Sequence, residues 1–244
     1  MNDAELVAQA CRVLGKLDVT HGALGHVSLR RDDSESMLIK GKGPGEVGLR
    51  YTQPDDIISV DFTANKLSGR ADLQPPSESY LHIWLYKQRP DIRSVIHVHP
   101  EHAVLLTICD KEILPIYGAY GSGARLALEG VRTYARSITI HDDRLGEEFA
   151  RFMGSSNAAL MRGHGVSVVG AGVEDATVRT MALNELVTMT YRAYLLGTPQ
   201  PISAEDQVHL SQPPDPNRRR GSSGGEVGMR AQWRYYSSLA GEQT

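Results

Sequence analysis

The stretch VIHVHP, residues 95–100, reads as a short apolar strand that carries two histidines two positions apart. Successive side chains of a strand point to opposite faces, so His97 and His99 are expected to share one face, with their apolar neighbours on the other. At this spacing the two imidazoles, about 6–7 Å apart at Cβ, can close onto one cation. Without a metal, both rings would need hydrogen bonds inside the core or contact with solvent, because burying unpaired polar groups is costly. The pattern alone leaves both interpretations open.

A third histidine strengthens the metal interpretation. His164 lies between Gly163 and Gly165, directly after a strand predicted at residues 158–161. Flanking glycines let the backbone turn sharply and approach a ligand closely. Taken alone, His164 could equally be a turn residue. Together with the pair at 97 and 99 it predicts a site of three neutral imidazoles with open positions, which is typical of catalytic rather than structural metal sites.

Glu78 is the candidate acid–base group. It falls in the first turn of a helix predicted from Ser77, a residue type suited to an N-cap, to Gln88. The helix dipole favours a carboxylate at this position. A plain N-terminal helix carboxylate is the alternative interpretation. His82 lies one turn later on the same helical face, and we interpret it as a surface or core histidine in preference to a fourth ligand.

The rest of the chain predicts alternating strands and helices, which indicates one α/β domain with mixed strand pairing. The first half of the chain predicts a helix at 3–17, strands at 26–30, 37–40 and 57–60, the helix at 77–88, a strand at 94–99 and a helix at 101–109. Residues 126–153 predict a helix, then a strand at 138–140, then a second helix. The strand at 158–161 and a long helix at 173–196 follow. Residues 1–198 are assigned to this domain. Residues 199–244 are interpreted as a C-terminal extension, a flexible Pro- and Gly-rich linker followed by a short aromatic helix at 229–239.

Composition excludes several functional classes. The formal net charge of −3 offers no global attraction for nucleic acid or an anionic membrane. No stretch of about 18 apolar residues predicts a membrane span, and the N-terminus lacks the pattern of a signal peptide. Two cysteines are too few for a disulfide framework or a four-cysteine zinc site. We therefore expect a cytoplasmic protein with a small-molecule partner.

Four motifs in this order resemble the class II aldolase/adducin family. They are PSExxxH at 76–82, RPD at 89–91, VIHVHP at 95–100 and RGHG at 162–165. The segments 25–30 and 170–172 are also similar to family motifs, so the resemblance covers roughly residues 5–197. It implies a three-layer α/β/α fold around a central, mostly antiparallel sheet. It also implies a homotetramer with active sites between neighbouring subunits.

The same resemblance implies roles for particular residues. His97, His99 and His164 match the metal ligands of the family, and Glu78 matches its catalytic carboxylate. Family members cleave aldols, epimerise or decarboxylate, and all three reactions need a metal that stabilises an enolate-like charge. One divalent ion per subunit is expected, with zinc favoured over manganese, cobalt or iron. Adducin-like members are structural and retain the fold without the metal ligands, so the intact histidine set argues against a non-catalytic domain.

Two departures from the family pattern argue against a phosphorylated sugar as substrate. The sugar-phosphate members usually have Asn where this chain has His26, and Ser where it has Pro76. Pro76 offers neither an N–H group nor a hydroxyl to a phosphate. The glycine-rich loop at 41–45 could still hold an anion through its backbone N–H groups. A weaker resemblance, carried by residues 115–120 and the aromatic tail, is to dihydroxyphthalate-type decarboxylases.

We therefore expect a metal-dependent lyase of aromatic compound catabolism, a decarboxylase of a hydroxylated aromatic acid such as 3,4-dihydroxyphthalate. Glu78 or a tyrosine would deliver the proton to carbon. Alternatives are an aldolase that cleaves a hydroxy-keto acid or a sugar phosphate, and a mononuclear iron oxygenase. The substrate-binding candidates are His26, Ser77, Tyr117, Tyr120, Arg162 and Tyr235. The sequence does not decide which of Lys42, Arg125 and Arg162 pairs with the substrate carboxylate.

Overall fold

A mixed sheet of eight strands runs through the part of the chain that the computed structural model describes, residues 1–32, 35–118, 120–212 and 225–242. The strands are β1 (His26–Arg30), β2 (Ser36–Lys40), β3 (Ile57–Asp61), β4 (Lys66–Ser68), β5 (Ser94–Val98), β6 (Arg132–Tyr134), β7 (Ala158–Met161) and β8 (Gly165–Gly170). They lie in the order β4-β3-β2-β1-β5-β8-β7-β6. Among these strands only β6 and β7 pair in parallel, which confirms the predicted mostly antiparallel sheet.

Helices cover both faces of this sheet. They are α1 (Asp3–Lys16), α2 (Ser79–Gln88), α3 (Glu101–Ile108), α4 (Gly123–Glu129), α5 (Asp143–Met153), α6 (Val173–Leu196), α7 (Ala204–Ser211) and α8 (Gly225–Leu239). Apolar side chains of α1, α3 and α6 share one core cluster with the sheet, and this side is called the α6 face. Side chains of α2 and α5 share the cluster on the other side, called the α2 face. The three-layer α/β/α prediction is confirmed.

The alternation along β5 decides where the site lies. Ile96 and Val98 belong to the core of the α6 face, whereas Val95 belongs to the core of the α2 face. His97 therefore points towards the α2 face. The strand ends at Val98, so His99 follows it rather than lying within it. As predicted, the apolar neighbours of the histidines face a core on the opposite side.

Several predicted boundaries differ from the structure. Helix α2 begins at Ser79 rather than Ser77, because the N–H and hydroxyl of Ser79 both donate to the carbonyl of Pro76, at 2.9 and 2.7 Å. Residues 138–140 are not a strand; the parallel edge strand is β6 instead. Strands β4 and β8 were not predicted. Helix α7 lies inside the stretch predicted as a flexible linker.

The C-terminal helix packs on the rest of the chain. Trp233 of α8 is 5% exposed and belongs to the core of the α6 face. Beyond the helix, the Glu242 carboxylate accepts hydrogen bonds from Arg12 and Lys16 of α1, with N–O distances of 2.6–2.9 Å. The division of the chain at residue 198 stays a prediction. Residues 213–224, which include the three successive arginines of the predicted linker, lie outside the described residues.

None of the helices in the described ranges combines the length and apolar character needed to cross a membrane.

Candidate metal centre

Four side chains meet where β5 ends. Glu78, His97, His99 and His164 each offer one ligand atom, and these four atoms all lie within 4.8 Å of one another. Oε2 of Glu78 is 3.2 Å from Nε2 of His97, and Oε1 is 3.6 Å from Nε2 of His164. The Nε2 atoms of His97 and His99 are 3.0 Å apart. The structure thus brings together the four residues that the sequence singled out for metal binding and acid–base chemistry.

The turn between β7 and β8 places His164 beside the end of β5. Gly163 has φ of +57°, a conformation that side chains with a Cβ rarely adopt. A Cβ at Gly165 would lie 2.4 Å from the carbonyl oxygen of Val98 and 2.5 Å from Cδ2 of His99. The positive φ at position 163 and the close approach at position 165 both favour glycine, which explains why His164 is flanked by glycines on both sides.

Glu78 approaches the histidines from the α2 face. It occupies the N-cap position of α2 and is 7% exposed. Oε1 accepts the backbone N–H of Ile140 at 3.2 Å, so the segment wrongly predicted as a strand supplies a donor to this carboxylate. Burial acts to raise the pKa of Glu78, but the charge of His97 and hydrogen bonds from His164 and His97 outweigh it and hold the pKa well below the usual value. The carboxylate is therefore ionised at neutral pH.

The imidazoles differ in their protonation. Burial, followed by the charges of His97 and His164, lowers the pKa of His99 to about 3. Burial also acts to lower the pKa of His164, but the hydrogen bond and negative charge of Glu78 raise it above its usual value. On His97, Nδ1 lies 3.3 Å from Oγ of Ser167, which leaves Nε2 directed at Glu78. Sequence analysis did not identify Ser167, because this residue reaches His97 through the pairing of β5 with β8.

This donor set fits a divalent cation. Three imidazole nitrogens and a carboxylate oxygen are the ligand types that zinc and its neighbours in the first transition row prefer. Ser167 at His97 resembles the outer hydrogen bonds that orient metal-bound histidines. Nδ1 of His99, by contrast, is buried without a hydrogen-bond partner among the described residues.

His26 lies next to this centre. It pairs directly opposite His97 in the β1–β5 ladder and is 3% exposed. Its Nε2 is 3.9 Å from Oε2 of Glu78, and its Nδ1 is 2.8 Å from Nε2 of His82. Burial, the largest influence, and the neighbouring histidines lower the pKa of His26, and burial lowers that of His82 to about 3. Sequence analysis assigned His82 no function, although its i,i+4 spacing from Glu78 and its place at the end of the PSExxxH motif were both signals for it.

The remaining predicted substrate-binding residues contact other parts of the fold. Ser77 is exposed. The guanidinium of Arg162 pairs with Asp110, at 2.5 and 3.0 Å, and lines an open surface cavity of about 490 Å³. Tyr235 is 58% exposed and packs against the ring of Tyr236.

Tyr117 and Tyr120 lie together, with ring centroids 5.5 Å apart. They line a groove with residues of α6, and the Tyr117 hydroxyl faces Gly123 of α4. The contacts described for the two tyrosines involve α4 and α6 rather than the four metal-site residues.

The three candidate cations for a substrate carboxylate are also separated. Lys42 donates to the carbonyl of Ala23 at 2.8 Å, and its charge is among the lesser influences that lower the pKa of His99. Arg125 instead lines a cavity of about 160 Å³ beside α6 and α8. Of Lys42, Arg125 and Arg162, it is Lys42 whose charge acts on a histidine of the centre within the described residues.

Decarboxylases and an aldolase are among the known proteins whose sequences are similar to this chain. A 3,4-dihydroxyphthalate decarboxylase from Terrabacter sp. is 36% identical over 212 residues, covering 85% of this chain and 88% of the relative. One from Rhodococcus jostii is 36% identical over 196 residues, covering 79% and 80%. An L-fuculose phosphate aldolase from Methanocaldococcus jannaschii is 26% identical over 194 residues, covering 77% and 95%.

Solved structures share the fold at lower identity. An aldolase II superfamily protein from Pseudomonas syringae superposes with a TM-score of 0.79 at 18% identity, covering 98% of this chain and 94% of the other. An L-fuculose 1-phosphate aldolase from Glaciozyma antarctica gives 0.76 at 16% identity, covering 97% and 87%. The family model for the class II aldolase and adducin N-terminal domain matches residues 5–191. The chain is therefore a member of the class II aldolase/adducin family, and specifically of a lyase branch of it.

Proposed function

We propose that this enzyme is a metal-dependent decarboxylase of a hydroxylated aromatic acid, with 3,4-dihydroxyphthalate as the best candidate substrate. The observation that carries the proposal is the convergence of an ionised carboxylate with three histidines in a chain 35–36% identical to decarboxylases of that acid. Buried Pro76 and the engagement of His26 with His82 do not resemble a surface built for a sugar phosphate.

The proposed metal ligands are His97, His99 and His164, with Glu78 close enough to join them. A divalent cation there would supply Lewis acidity for the negative charge that develops on substrate oxygens during carbon–carbon cleavage. We favour zinc because its affinity for imidazole sites exceeds that of manganese or iron.

Glu78 is proposed to move the proton. Its carboxylate is ionised at rest, so it can accept the proton of a substrate hydroxyl next to the departing carboxylate. Transfer of that proton from Glu78 to the ring carbon that carries the departing carboxylate gives a ketone-like form, from which the carbon–carbon bond breaks as in a β-keto acid. The carboxylate leaves as carbon dioxide, and the bonding electron pair restores the aromatic ring with negative charge on the former hydroxyl oxygen. Glu78 is ionised again at the end, so that no oxidant or organic cofactor is consumed.

Other residues are proposed to bind the substrate. The Nε2 atom of His26 is 3.9 Å from the Glu78 carboxylate, which places His26 beside the centre. Lys42 is our preferred partner for the carboxylate that remains, because its charge acts on His99. Its ammonium lies 3.4 Å from the Glu46 carboxylate, a longer ion pair than the 2.5 Å pair of Arg162 with Asp110.

The enzyme is proposed to act as a cytoplasmic homotetramer in aromatic compound catabolism. Within one chain the aromatic residues Tyr117, Tyr120 and Tyr235 contact α4, α6 and α8. In a tetramer with active sites between subunits, these exposed or half-buried tyrosines would complete the site of a neighbouring chain, where a flat ring could pack against them.

A substrate panel tests the proposal. Metal-loaded enzyme is incubated without oxygen with 3,4-dihydroxyphthalate, with other hydroxyaromatic acids and with hydroxy-keto acids, and carbon dioxide and products are measured together. We expect one carbon dioxide and one 3,4-dihydroxybenzoate per dihydroxyphthalate. Aldehyde formation from a hydroxy-keto acid, without action on any aromatic acid, would favour an aldolase. Turnover that requires oxygen would favour an iron oxygenase.

A further inference from the structure

A buried chain of polar side chains leads away from the metal centre between β1 and α2. His26 Nδ1 lies 2.8 Å from His82 Nε2, His82 Nδ1 lies 2.6 Å from Ser28 Oγ, and Ser28 Oγ lies 2.7 Å from the Tyr86 hydroxyl. Two residues along a strand rise about 6.6 Å, and one helical turn of four residues rises about 6 Å. The spacings His26/Ser28 and His82/Tyr86 therefore match, which allows three consecutive hydrogen bonds.

These four residues are more deeply buried than their polarity favours. Their exposed fractions are 3% for His26, 1% for Tyr86, and 0% for Ser28 and His82. Burying a polar group costs free energy unless it is hydrogen-bonded, and a partly satisfied network costs more than an apolar core. Apolar residues could fill the same space between β1 and α2. A function of these four hydrogen-bonded side chains as a unit therefore explains their presence better than packing does.

The three hydrogen bonds of this row of side chains also have a preferred donor-to-acceptor direction. The ring centroid of His97 lies 5.3 Å from that of His26, and the anion that faces Nε2 of His26 is the Glu78 carboxylate, 3.9 Å away. An N–H group pointing at this anion is favourable and a lone pair is not. If Nε2 of His26 carries the proton, then Nδ1 accepts from His82 Nε2. His82 Nδ1 in turn accepts from the Ser28 hydroxyl.

The direction ends at Tyr86, whose hydroxyl donates to Ser28 Oγ. The three donors between His26 and Tyr86 are then each used once, in bonds of 2.6–2.8 Å. The carbonyls of Val95 and Arg93 are longer alternative acceptors for the Ser28 and Tyr86 hydroxyls, at 3.4 and 3.3 Å. The opposite direction would place the lone pair of His26 against Glu78.

We propose that His82, Ser28 and Tyr86 are positioning residues that hold the His26 ring with its Nε2–H directed into the metal centre beside Glu78. There His26 donates to an oxygen of the acid substrate. This role rests on the proposed function, because it assumes a substrate with an anionic oxygen. The hydrogen bonds described for the three positioning residues lead to the metal centre through His26, although the charges of His97 and Glu78 also act on His82.

Ser28→Ala tests the chain at its centre. It removes the hydroxyl that His82 and Tyr86 share, and we expect kcat/KM for 3,4-dihydroxyphthalate to fall by roughly 3- to 10-fold, with unchanged metal content. The matched control is Ser59→Ala, in the same sheet, where a buried serine hydroxyl has no hydrogen-bond partner among the described residues. This control should change kcat/KM by less than about twofold.

A double-mutant cycle separates positioning from plain stability. In a His26→Asn background the amide cannot occupy the position of Nε2, so Ser28→Ala should have almost no further effect on kcat/KM. Tyr86→Phe keeps the ring packed against Phe62 and Arg30 and should behave in the same way as Ser28→Ala. Full additivity of the Ser28 and His26 substitutions would overturn the proposal.

Histidine tautomers give a readout that needs no turnover. In metal-loaded protein labelled with ¹⁵N-histidine, we expect His26 and His82 both to carry their proton on Nε2, with signals assigned by substitution. Protons on Nδ1 of both rings would overturn the proposed direction. If the substrate panel shows no decarboxylation, the proposed function fails, while the tautomers still decide whether the chain orients His26 as argued.

Discussion

Oε2 of Glu78 lies 3.2 Å from Nε2 of His97, although the two residues belong to opposite sides of the contact between α2 and the sheet. Both side chains are buried. The contact depends on three features: a strand that points one histidine to the α2 face, a helix that begins directly beneath it, and a backbone N–H from Ile140 that holds the carboxylate.

Replacement of a single histidine should empty the metal site. His99→Ala removes one of three nitrogen ligands, and we expect the affinity for the divalent ion to fall by more than the 10- to 100-fold typical of losing an outer hydrogen bond. His102→Ala is the matched control, because His102 lies on α3 and bonds Thr188. Metal content by elemental analysis checks the prediction. Stoichiometric metal and full turnover in His99→Ala would show that the assignment is wrong.

Glu78→Gln should separate chemistry from metal binding. The amide keeps the shape of the side chain but cannot accept and return a proton, so turnover should slow by roughly 10²–10⁴-fold while metal stays bound. Glu101→Gln, at the exposed start of α3, is the control and should leave turnover unchanged. Loss of metal together with turnover would instead identify Glu78 as an essential ligand.

The metal-free protein should become less stable as pH falls below about 6.5. Burial lowers the pKa of His82 and of His99 to about 3 from 6.5, and it also lowers that of His26. Between these values the unfolded chain binds protons that the folded chain does not. The stabilisation is therefore present above 6.5 and is lost as pH falls towards 3.

Glu78 and His164 add to this balance with opposite signs. The pKa of Glu78 is lowered from 4.5, so Glu78 contributes a further loss of stability below pH 4.5. The pKa of His164 is raised, so its contribution is present below 6.5 and is lost as pH rises. Three lowered histidines outweigh this single raised one. Urea unfolding at pH 7.5 and 5.5 measures the difference, and a higher free energy of unfolding at pH 5.5 would contradict the prediction.

The exposed tyrosine of α8 should matter for turnover, whereas its buried tryptophan should matter for stability. Tyr235→Ala leaves the packing of α8 on α6 in place, so we expect kcat/KM to fall by roughly 10- to 100-fold through loss of substrate positioning, with normal metal content. Trp233→Ala removes a side chain from the core and should lower the free energy of unfolding by about 3–5 kcal/mol. An unaltered kcat/KM in Tyr235→Ala would remove this residue from the proposed site.

Local patterns pointed to the four residues of the centre, and the family resemblance implied their roles. The two-residue spacing of His97 and His99, the glycines around His164 and the position of Glu78 in the first turn of a predicted helix are all short-range signals. The mostly antiparallel sheet was predicted through the family resemblance and is confirmed.

The hydrogen-bonded side chains of His26, His82, Ser28 and Tyr86 could not be predicted in the same way. It depends on β1 lying beside β5 and on the rotation of α2 over that pair, which are tertiary facts. The strand predicted at residues 138–140 was wrong for a related reason. An apolar-polar-apolar triplet resembles a strand, but here the backbone N–H of Ile140 donates to Glu78.

The most direct measurement of the central claim compares three samples under argon with 3,4-dihydroxyphthalate: protein stripped of metal by a chelator, the same protein reloaded with one divalent ion per subunit, and His99→Ala treated in the same way. Carbon dioxide and 3,4-dihydroxybenzoate are quantified together. We predict no turnover without metal, equal amounts of both products from the reloaded protein, and a loss in His99→Ala that added metal does not restore. Full decarboxylation by the stripped protein, or no decarboxylation by the reloaded protein, would contradict the account.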